Sequence, residues 1–267
     1  MPWPAREIAR AALLAAGCVA CAGAPSVAYG GTVVALELVL AVDSSGSVDA
    51  AEFDLQLRGL ANAFRDRDVV AAIEASGADG IAVAVVQWAG PGHQLVVVDW
   101  MHVRDEVTAA DFALRIELAG RRMFGETAIG PVLNFALGML LTNDYVGRRR
   151  VIDVSGDGET NFGKDPDLVR DRVVATGATI NGLAILNEFP RLDRYYRQHV
   201  IGGDGAFVMS VADYSDFAAA MRAKLIQEIL GGPVVWAPGR DEPLERSRAP
   251  DRMGPWLPSG ATPSRSS

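Results

Sequence analysis

Apolar runs and amphipathic stretches alternate along the chain between residues 33 and 230. Residues 33–42 are mostly β-branched and apolar, which is typical of a strand buried on both faces of a sheet. Residues 49–65 carry apolar side chains at helical spacing, and Asp49 with Glu52 predicts a capping box at the start of that helix. The same alternation predicts further strands at 81–88, 94–100, 150–154, 179–186 and 206–211, and further helices at 108–118, 128–141, 166–175 and 215–230.

Strands that alternate with helices predict an α/β fold, a doubly wound and mainly parallel central sheet with helices on both faces. The strands at 81–88 and 94–100 are separated by the tight-turn sequence Gly90-Pro91-Gly92, so they are expected to form a hairpin. The hairpin adds one antiparallel edge strand to the sheet, as mixed sheets often have. We therefore expect a Rossmann-like architecture with one reversed strand at its edge.

Both ends of the chain differ from this pattern. Two arginines precede an apolar stretch at residues 11–22, and Ala28 closes a small-residue cleavage site, which is the layout of a secretory signal peptide. Half of the 14 prolines lie near the other end, among few apolar residues. We predict a signal peptide at 1–28, a single domain at 29–231 and a Pro-rich, disordered tail at 232–267. The mature domain is then expected in the periplasm or outside the cell.

The two cysteines, Cys18 and Cys21, lie inside the predicted signal peptide. A lipid anchor on Cys18 would call for leucine three residues before it, and Leu14 is one position too early, so lipoprotein anchoring is not expected. Cleavage after Ala28 would leave the mature domain without cysteine. Its fold would therefore not depend on disulfide bonds.

The charge and the remaining reactive residues exclude several classes of function. The formal net charge is −8 and the chain has no basic stripe, which argues against a nucleic-acid partner. No segment after the predicted signal is long and apolar enough for a transmembrane helix. The histidines at 93, 102 and 199 are too dispersed for a zinc set or a nucleophile triad, and no G-x-S-x-G elbow of a serine hydrolase is present.

Acidic and hydroxyl residues cluster where the pattern predicts the ends of strands. The stretch D-S-S-G-S begins directly after the first strand, and S-G-D-G follows the strand at 150–154. Ligands of open α/β sheets bind outside the carboxyl ends of the strands. Carboxylates and hydroxyls suit a hard cation such as Mg²⁺, which takes about six oxygen ligands. We therefore expect one divalent metal to be held by Asp43, Ser45, Ser47, Thr127 and Asp157.

This set resembles the metal-ion-dependent adhesion site of the von Willebrand factor A family, which reads D-x-S-x-S, then a distant T, then a D commonly followed by G. The resemblance covers most of the mature chain. It implies that Ser45, Ser47 and Thr127 contact the metal, and that Asp43 and Asp157 act partly through water. It also implies a Mg²⁺ or Mn²⁺ cofactor and binding of a protein partner that supplies a carboxylate ligand, not catalysis. The stretch V-S-G-D-G around Asp157 is similar to a bacterial branch of secreted proteins known only as a domain of unknown function.

Two other functions stay open. Haloacid dehalogenase-type phosphatases also begin with an apolar strand that ends in Asp, and G-D-G-E-T-N at 156–161 looks like their late motif. Their first motif needs a second acid where this chain has Ser45, and they need a lysine before the late motif, whereas none occurs before Lys164. The other alternative is a non-adhesive periplasmic assembly factor in which a structural metal stiffens a loop.

Two further features have weaker interpretations. Tyr195 and Tyr196 lie in a connection at 188–203 that is rich in arginine and aromatic residues. Loops carry recognition more often than cores do, so we predict this pair as a secondary contact surface for a partner. Asp153 lies inside a strand pattern and is expected to be a structural acid.

Overall fold

The computed structural model describes residues 30–232, so the predicted signal peptide at 1–28 and nearly all of the predicted tail at 232–267 lie outside the described residues. The strands are β1 (Thr32–Asp43), β2 (Ile81–Trp88), β3 (Gln94–Val103), β4 (Tyr145–Gly156), β5 (Thr179–Ile185) and β6 (Val208–Val211). They form one six-stranded sheet in the order β3-β2-β1-β4-β5-β6. β3 pairs antiparallel with β2 at the edge, and the other pairings are parallel. The mainly parallel sheet with one reversed edge strand is confirmed.

Helices cover both faces of the sheet, as predicted. They are α1 (Ala50–Arg65), α2 (Arg67–Ala75), α3 (Glu106–Ala119), α4 (Ile129–Thr142), α5 (Pro166–Ala175), α6 (Leu192–Tyr195), which continues into a π-helical turn (Tyr196–Val200), and α7 (Phe217–Leu230). Apolar side chains of α1, α2, α3 and α7 pack in one core against the sheet. Those of α4, α5 and the α6 segment pack in a second core on the other face. Within residues 30–232, no helix has the length and apolar character that a membrane crossing requires.

The position of a strand in the sheet explains its composition. β2 is buried at every position, and β1 is buried from Val34 onward. Both strands lie inside the sheet with helices on either side, so both faces favour apolar residues. Apart from Asp43 at the end of β1, the buried exceptions are Glu37 in β1 and Gln87 in β2, and the polar atoms of these two side chains are hydrogen-bonded. This double burial is why the first strand, apart from Glu37, is an apolar run and not an alternating one.

Local sequence decides where the first two helices begin and end. The Asp49 carboxylate accepts from the Glu52 N–H and the Glu52 carboxylate accepts from the Asp49 N–H, both at 2.8 Å, which is the capping box that the sequence predicts. Asp66 takes an extended conformation that ends α1, and its side chain accepts from the Asp68 N–H at the start of α2. The helix α2, only nine residues long, has no counterpart among the elements that the sequence pattern predicts.

Strand pairing places the candidate residues at one edge of the sheet. β1 ends at Asp43 and β4 ends at Gly156, and Val42 pairs with Ser155 in the parallel register. β4 begins at Tyr145, earlier than the predicted 150–154, because Thr32 at the start of β1 pairs with it. The loops that follow β1 and β4 therefore emerge side by side at the carboxyl edge of the sheet.

Candidate metal centre

Asp43, the last residue of β1, is fully buried. The backbone N–H of Ser45 donates to its Oδ1 at 2.7 Å. Its Oδ2 has no hydrogen-bond partner among the described residues. Burial, and after it the charge of Asp157, raises the pKa of Asp43 to about 7. A buried carboxylate oxygen with no partner is costly, so this position favours a cation or a proton beside Oδ2.

A row of hydroxyls joins the loop after β1 to the second aspartate. The Oγ atoms of Ser45 and Ser47 lie 3.1 Å apart, and the Ser47 hydroxyl donates to Oδ1 of Asp157 at 2.7 Å. Asp157 directly follows β4 and is fully buried. The two serines alternate along the loop, and alternate side chains of an extended backbone point to the same side. Four of the five predicted residues are thus connected by hydrogen bonds in the structure.

Thr127, the fifth predicted residue, is buried on the loop before α4. Its backbone N–H donates to Oδ1 of Asn161 at 2.9 Å, and its carbonyl accepts from the Asn161 N–H at 3.0 Å, so its loop is tied to the loop after β4. Its Oγ1 lies 3.6 Å from the position that a Cβ atom on Gly158 would take. The hydroxyl of Thr127 therefore faces the residue next to Asp157.

Thr127 does not act as a helix cap, which is the simplest structural role for a threonine at this position. The hydroxyl of Thr160 performs that role, because it accepts from the N–H of Ile129 in the first turn of α4 at 3.2 Å. The hydroxyl of Thr127 is therefore not used to cap α4, and it lies beside Gly158, the residue after Asp157.

The loop before α4 is also tied to the loop after β1. The N–H of Gly46 donates to the carbonyl of Gly125 at 2.8 Å. The guanidinium of Arg121 donates to the carbonyls of Ser44 and Ser45 at 3.0 and 2.8 Å. Asp43 at the end of β1 and the other four predicted residues, on three loops that are hydrogen-bonded to one another, thus lie at one edge of the sheet.

Tyr214 is a member of this centre that the sequence analysis missed. Its hydroxyl donates to Oδ2 of Asp157 at 3.0 Å. Burial, and after it the charge of Asp157, raises the pKa of Tyr214, so the phenol stays a donor. Tyr214 follows β6 and therefore reaches the same edge of the sheet. The strand-end rule applied to the last strand points to this segment, although it does not distinguish Tyr214 from a core residue.

Tyr195 and Tyr196 differ in exposure. Tyr196 is fully buried, and its ring packs where Gly182 has no side chain, since a Cβ there would lie 2.5 Å from the ring. A buried ring cannot contact a partner, so the predicted contact role of Tyr196 is corrected to a core role. Tyr195 is half-buried and its hydroxyl accepts from the Thr160 N–H at 3.2 Å. Its role in partner contact stays a prediction.

The donor set fits a hard divalent cation. The donors that the structure brings together are two carboxylates and serine hydroxyls. Within residues 30–232 no group of three or more His, Cys, Asp or Glu side chains is arranged to hold a metal ion. Arg121, a cationic side chain on these loops, donates to the carbonyl oxygens of Ser44 and Ser45 and makes no hydrogen bond with either carboxylate. Mg²⁺ accepts such mixed oxygen ligands and keeps some of its waters.

The domain matches one protein family. A model described as "Protein of unknown function (DUF1194)" matches residues 33–233. No curated protein sequence matches the chain.

Several solved structures share the fold. Proximal thread matrix protein 1 from the mussel byssus is similar with a TM-score of 0.56 and 18% identity over 74% of this chain and 47% of that protein, so the chain spans about half its length. Another structure of the byssus protein, with a TM-score of 0.53 and 16% identity over 75% of this chain and 47% of that one, has a zinc-occupied MIDAS motif. The vWF domain of the type V pili tip protein Mfa5 from Porphyromonas gingivalis has a TM-score of 0.51 and 11% identity over 76% of this chain and 98% of that one. Identities this low show a common fold, and they confirm the fold expected from the sequence resemblance.

Proposed function

Because the chain belongs to the DUF1194 family of proteins of unknown function and has the fold of a von Willebrand factor A domain, we propose that it is a secreted, metal-dependent protein-binding domain. It presents Mg²⁺ or Mn²⁺ at the carboxyl edge of the sheet to a carboxylate of a protein partner. The residues that hold the cation in this proposal are Asp43, Ser45, Ser47, Thr127 and Asp157. The predicted signal peptide at 1–28 supports a location in the periplasm or outside the cell.

The observation that supports this proposal best is the unpartnered Oδ2 of Asp43. It lies in a fully buried carboxylate whose pKa is raised by burial and by a second buried acid, Asp157. Isolated buried charges are strongly disfavoured unless they are paired or bind metal. A divalent cation between the two acids would remove this cost, and a proton would remove only part of it.

Different groups of the protein orient the two carboxylates and supply the neutral oxygens of the site. The Ser45 N–H fixes Oδ1 of Asp43, and the Tyr214 hydroxyl fixes Oδ2 of Asp157. The hydroxyls of Ser45 and Ser47 supply neutral oxygens, which leave a bound cation electrophilic. When bound, the cation would accept an oxygen of the partner's Glu or Asp.

The phosphatase alternative needs a lysine near the two aspartates to stabilise the developing phosphoryl charge. Lys224, the buried lysine of the described domain, pairs with Asp153 and Glu228 instead. We therefore propose binding and not catalysis. Turnover of a generic phosphate ester with Mg²⁺ that Asp43→Asn abolishes would contradict this choice.

The test has two steps. Calorimetric titration with MgCl₂ and MnCl₂ is expected to show one site in the wild type and none in Asp43→Ala, while circular dichroism shows that both are folded. In a crosslinking pull-down from a periplasmic extract, the partner is expected in Mg²⁺ and to be lost in EDTA and in Asp43→Ala. Asp144→Ala removes an exposed acid that precedes β4 at the opposite edge and serves as the matched control. Metal binding with no metal-dependent partner would favour the assembly-factor alternative, and capture that survives EDTA would refute the mechanism.

A further inference from the structure

Exposed aromatic side chains have an uneven distribution in this domain. Within residues 30–232, the aromatic residues with exposed side chains are Phe124, Phe162 and Phe189, at 65%, 57% and 42% relative exposure. Single exposed apolar residues are common on protein surfaces. These three, however, lie on three different loops, and each loop leads to or from the candidate metal centre. Phe124 lies between α3 and α4, Phe162 lies after Asp157, and Phe189 lies after β5.

Contacts connect each phenylalanine to the centre. The backbone N–H of Phe162 approaches the carbonyl of Thr127 at 3.4 Å. The ring of Phe189 comes within 3.9 Å of the position that a Cβ on Gly158 would take, the same position that Thr127 Oγ1 approaches to 3.6 Å. Phe124 directly precedes Gly125, whose carbonyl binds the loop after β1. The three phenylalanines therefore lie on the loops that carry the carboxylate and hydroxyl cluster, and the ring of Phe189 comes near Gly158, the residue after Asp157.

Arg121 holds one of these rings in place. Its guanidinium carbon lies 3.9 Å from the centroid of the Phe124 ring and 5.3 Å from that of Phe53. The same guanidinium donates to the carbonyls of Ser44 and Ser45 in the metal-site loop. Cation–π contacts of this geometry are attractive. Phe124 is thus exposed but fixed relative to the metal centre, and fixed aromatic side chains lose little freedom when they bind a partner.

We propose that Phe124, Phe162 and Phe189 form an aromatic collar that binds bulky apolar side chains flanking the carboxylate of the partner. This inference rests on the proposed function, because the carboxylate itself is bound at the metal centre. The partner segment then has one Glu or Asp between apolar residues. A few residues carry most of the binding energy of an interface, and aromatic side chains are enriched among them.

The charge of the same loops favours a peptide segment over a lipid surface. The exposed acids beside the three phenylalanines, Glu126, Glu159 and Glu188, are matched on the same loops by the exposed bases Arg122, Lys164 and Arg191. Segments that bind anionic lipid headgroups carry a cluster of basic residues, and these loops have no such basic excess. A segment with a single acid can place its carboxylate on the cation and its apolar side chains on the rings, away from the three glutamates.

The test uses three end-blocked, dye-labelled peptides and fluorescence anisotropy in Mg²⁺. The first has one glutamate between leucine and phenylalanine, the second has the glutamate between serines, and the third replaces the glutamate of the first by glutamine. We expect the wild type to bind the first peptide at least about tenfold more tightly than either of the others. The triple variant Phe124→Ser, Phe162→Ser, Phe189→Ser is expected to lose the preference for the first peptide over the second and to keep its Mg²⁺ affinity in calorimetry.

A matched control removes exposed apolar side chains from the opposite end of the domain, namely Val107→Ser, Leu141→Ser and Leu230→Ser. This variant is expected to keep the preference. Equal binding of the first two peptides to the wild type, or a preference that survives the collar variant, would overturn the collar while leaving the metal proposal intact. Absence of Mg²⁺ binding by the wild type would instead overturn the proposed function itself. Metal-independent binding to phosphatidylethanolamine–phosphatidylglycerol vesicles that the collar variant loses would assign the rings to a membrane and also overturn the proposal.

Discussion

Each of two pairs of buried carboxylates has one member on or directly after strand β4, and the two pairs differ in the groups that compensate their charge. Asp153, within β4, faces Glu228 of α7, and the Lys224 ammonium binds the two carboxylates at 2.6 and 2.5 Å. Asp157, directly after β4, pairs with Asp43 across the end of the sheet. The groups bound to this second pair are hydroxyls and a backbone N–H, from Ser47, Tyr214 and Ser45.

The difference separates a structural site from a candidate binding site. Burial raises the pKa of Asp153, and burial together with the charge of Asp153 raises the pKa of Glu228 to about 7. The first pair carries its own cation on α7 and is closed, since Lys224 is fully buried. The second pair lies at the loops and has no built-in cation on its carboxylates, so a dissociable metal can supply one. In our proposal, similar acids of one domain therefore serve stability in one place and metal binding in the other.

Removing the ammonium group of Lys224 is expected to cause the largest change in the free energy of unfolding. We expect Lys224→Met to lower the free energy of unfolding by about 3 to 5 kcal/mol at pH 8, because two buried carboxylates lose their partner. The loss should shrink at pH 5, where the acids are protonated. Urea denaturation followed by circular dichroism measures both values. Lys164→Met, at an exposed position, is the control and should stay within about 0.5 kcal/mol of the wild type. A loss below about 1 kcal/mol at pH 8 would show that Lys224 does not compensate this pair.

For Asp43 and Asp157, the pair without a lysine, removing one charge is expected to raise the free energy of unfolding and not to lower it. The folded-state pKa of Asp43, about 7, lies above its unfolded value of about 3.9. The metal-free domain is therefore most stable below pH ~4 on account of this group, and it loses that stability as the pH rises through ~7. Asp43→Asn should remove this loss and raise the metal-free unfolding free energy at pH 8 by about 2 to 4 kcal/mol.

The measurement is urea denaturation in EDTA from pH 5 to pH 8, with Asp144→Asn as control. Excess Mg²⁺ should stabilise the wild type and leave Asp43→Asn unchanged, because only the wild type binds the ion. A metal-free Asp43→Asn domain that is less stable than the wild type at pH 8 would mean that the carboxylate is already compensated, which removes the argument for a metal.

Most of the fold follows from local patterns, whereas the buried lysine does not. The doubly buried β1 and the capping box at Asp49 are encoded in consecutive residues, so the sequence predicts them. Lys224 and Glu228 are four residues apart on α7, which is also the spacing of an exposed helical ion pair. Their burial depends on Asp153, which lies on a strand far away in the chain. No local pattern carries that information.

The candidate site also contains residues that the sequence predicts and residues that it does not. Asp43, Ser45, Ser47, Thr127 and Asp157 could be proposed from sequence because each is next to a predicted strand or helix end, where open sheets bind ligands. Tyr214 also follows a strand, but an aromatic residue there has an ordinary core interpretation. Tyr196 was misplaced because aromatic residues in a loop-like connection look exposed. The Tyr196 ring is buried because Gly182 on strand β5 has no side chain and leaves space for it. Only the tertiary structure shows this contact.

The smallest change in stability is expected when the hydroxyl of Tyr214 is removed, which links the candidate metal centre to the segment before α7. Tyr214→Phe removes the donor to Oδ2 of Asp157 but keeps the ring in its place. Since outer hydrogen bonds orient metal ligands, the Mg²⁺ affinity should fall by about tenfold, while the unfolding free energy changes by only about 1 kcal/mol. Calorimetric titration and urea denaturation measure the two values. Tyr145→Phe, at the start of β4 and the opposite edge of the sheet, should change neither. An unchanged Mg²⁺ affinity in Tyr214→Phe would show that Asp157 is oriented without help from the Tyr214 hydroxyl. The segment before α7 would then have no part in the metal centre, and α7 would contribute only to the Asp153–Glu228 pair through Lys224.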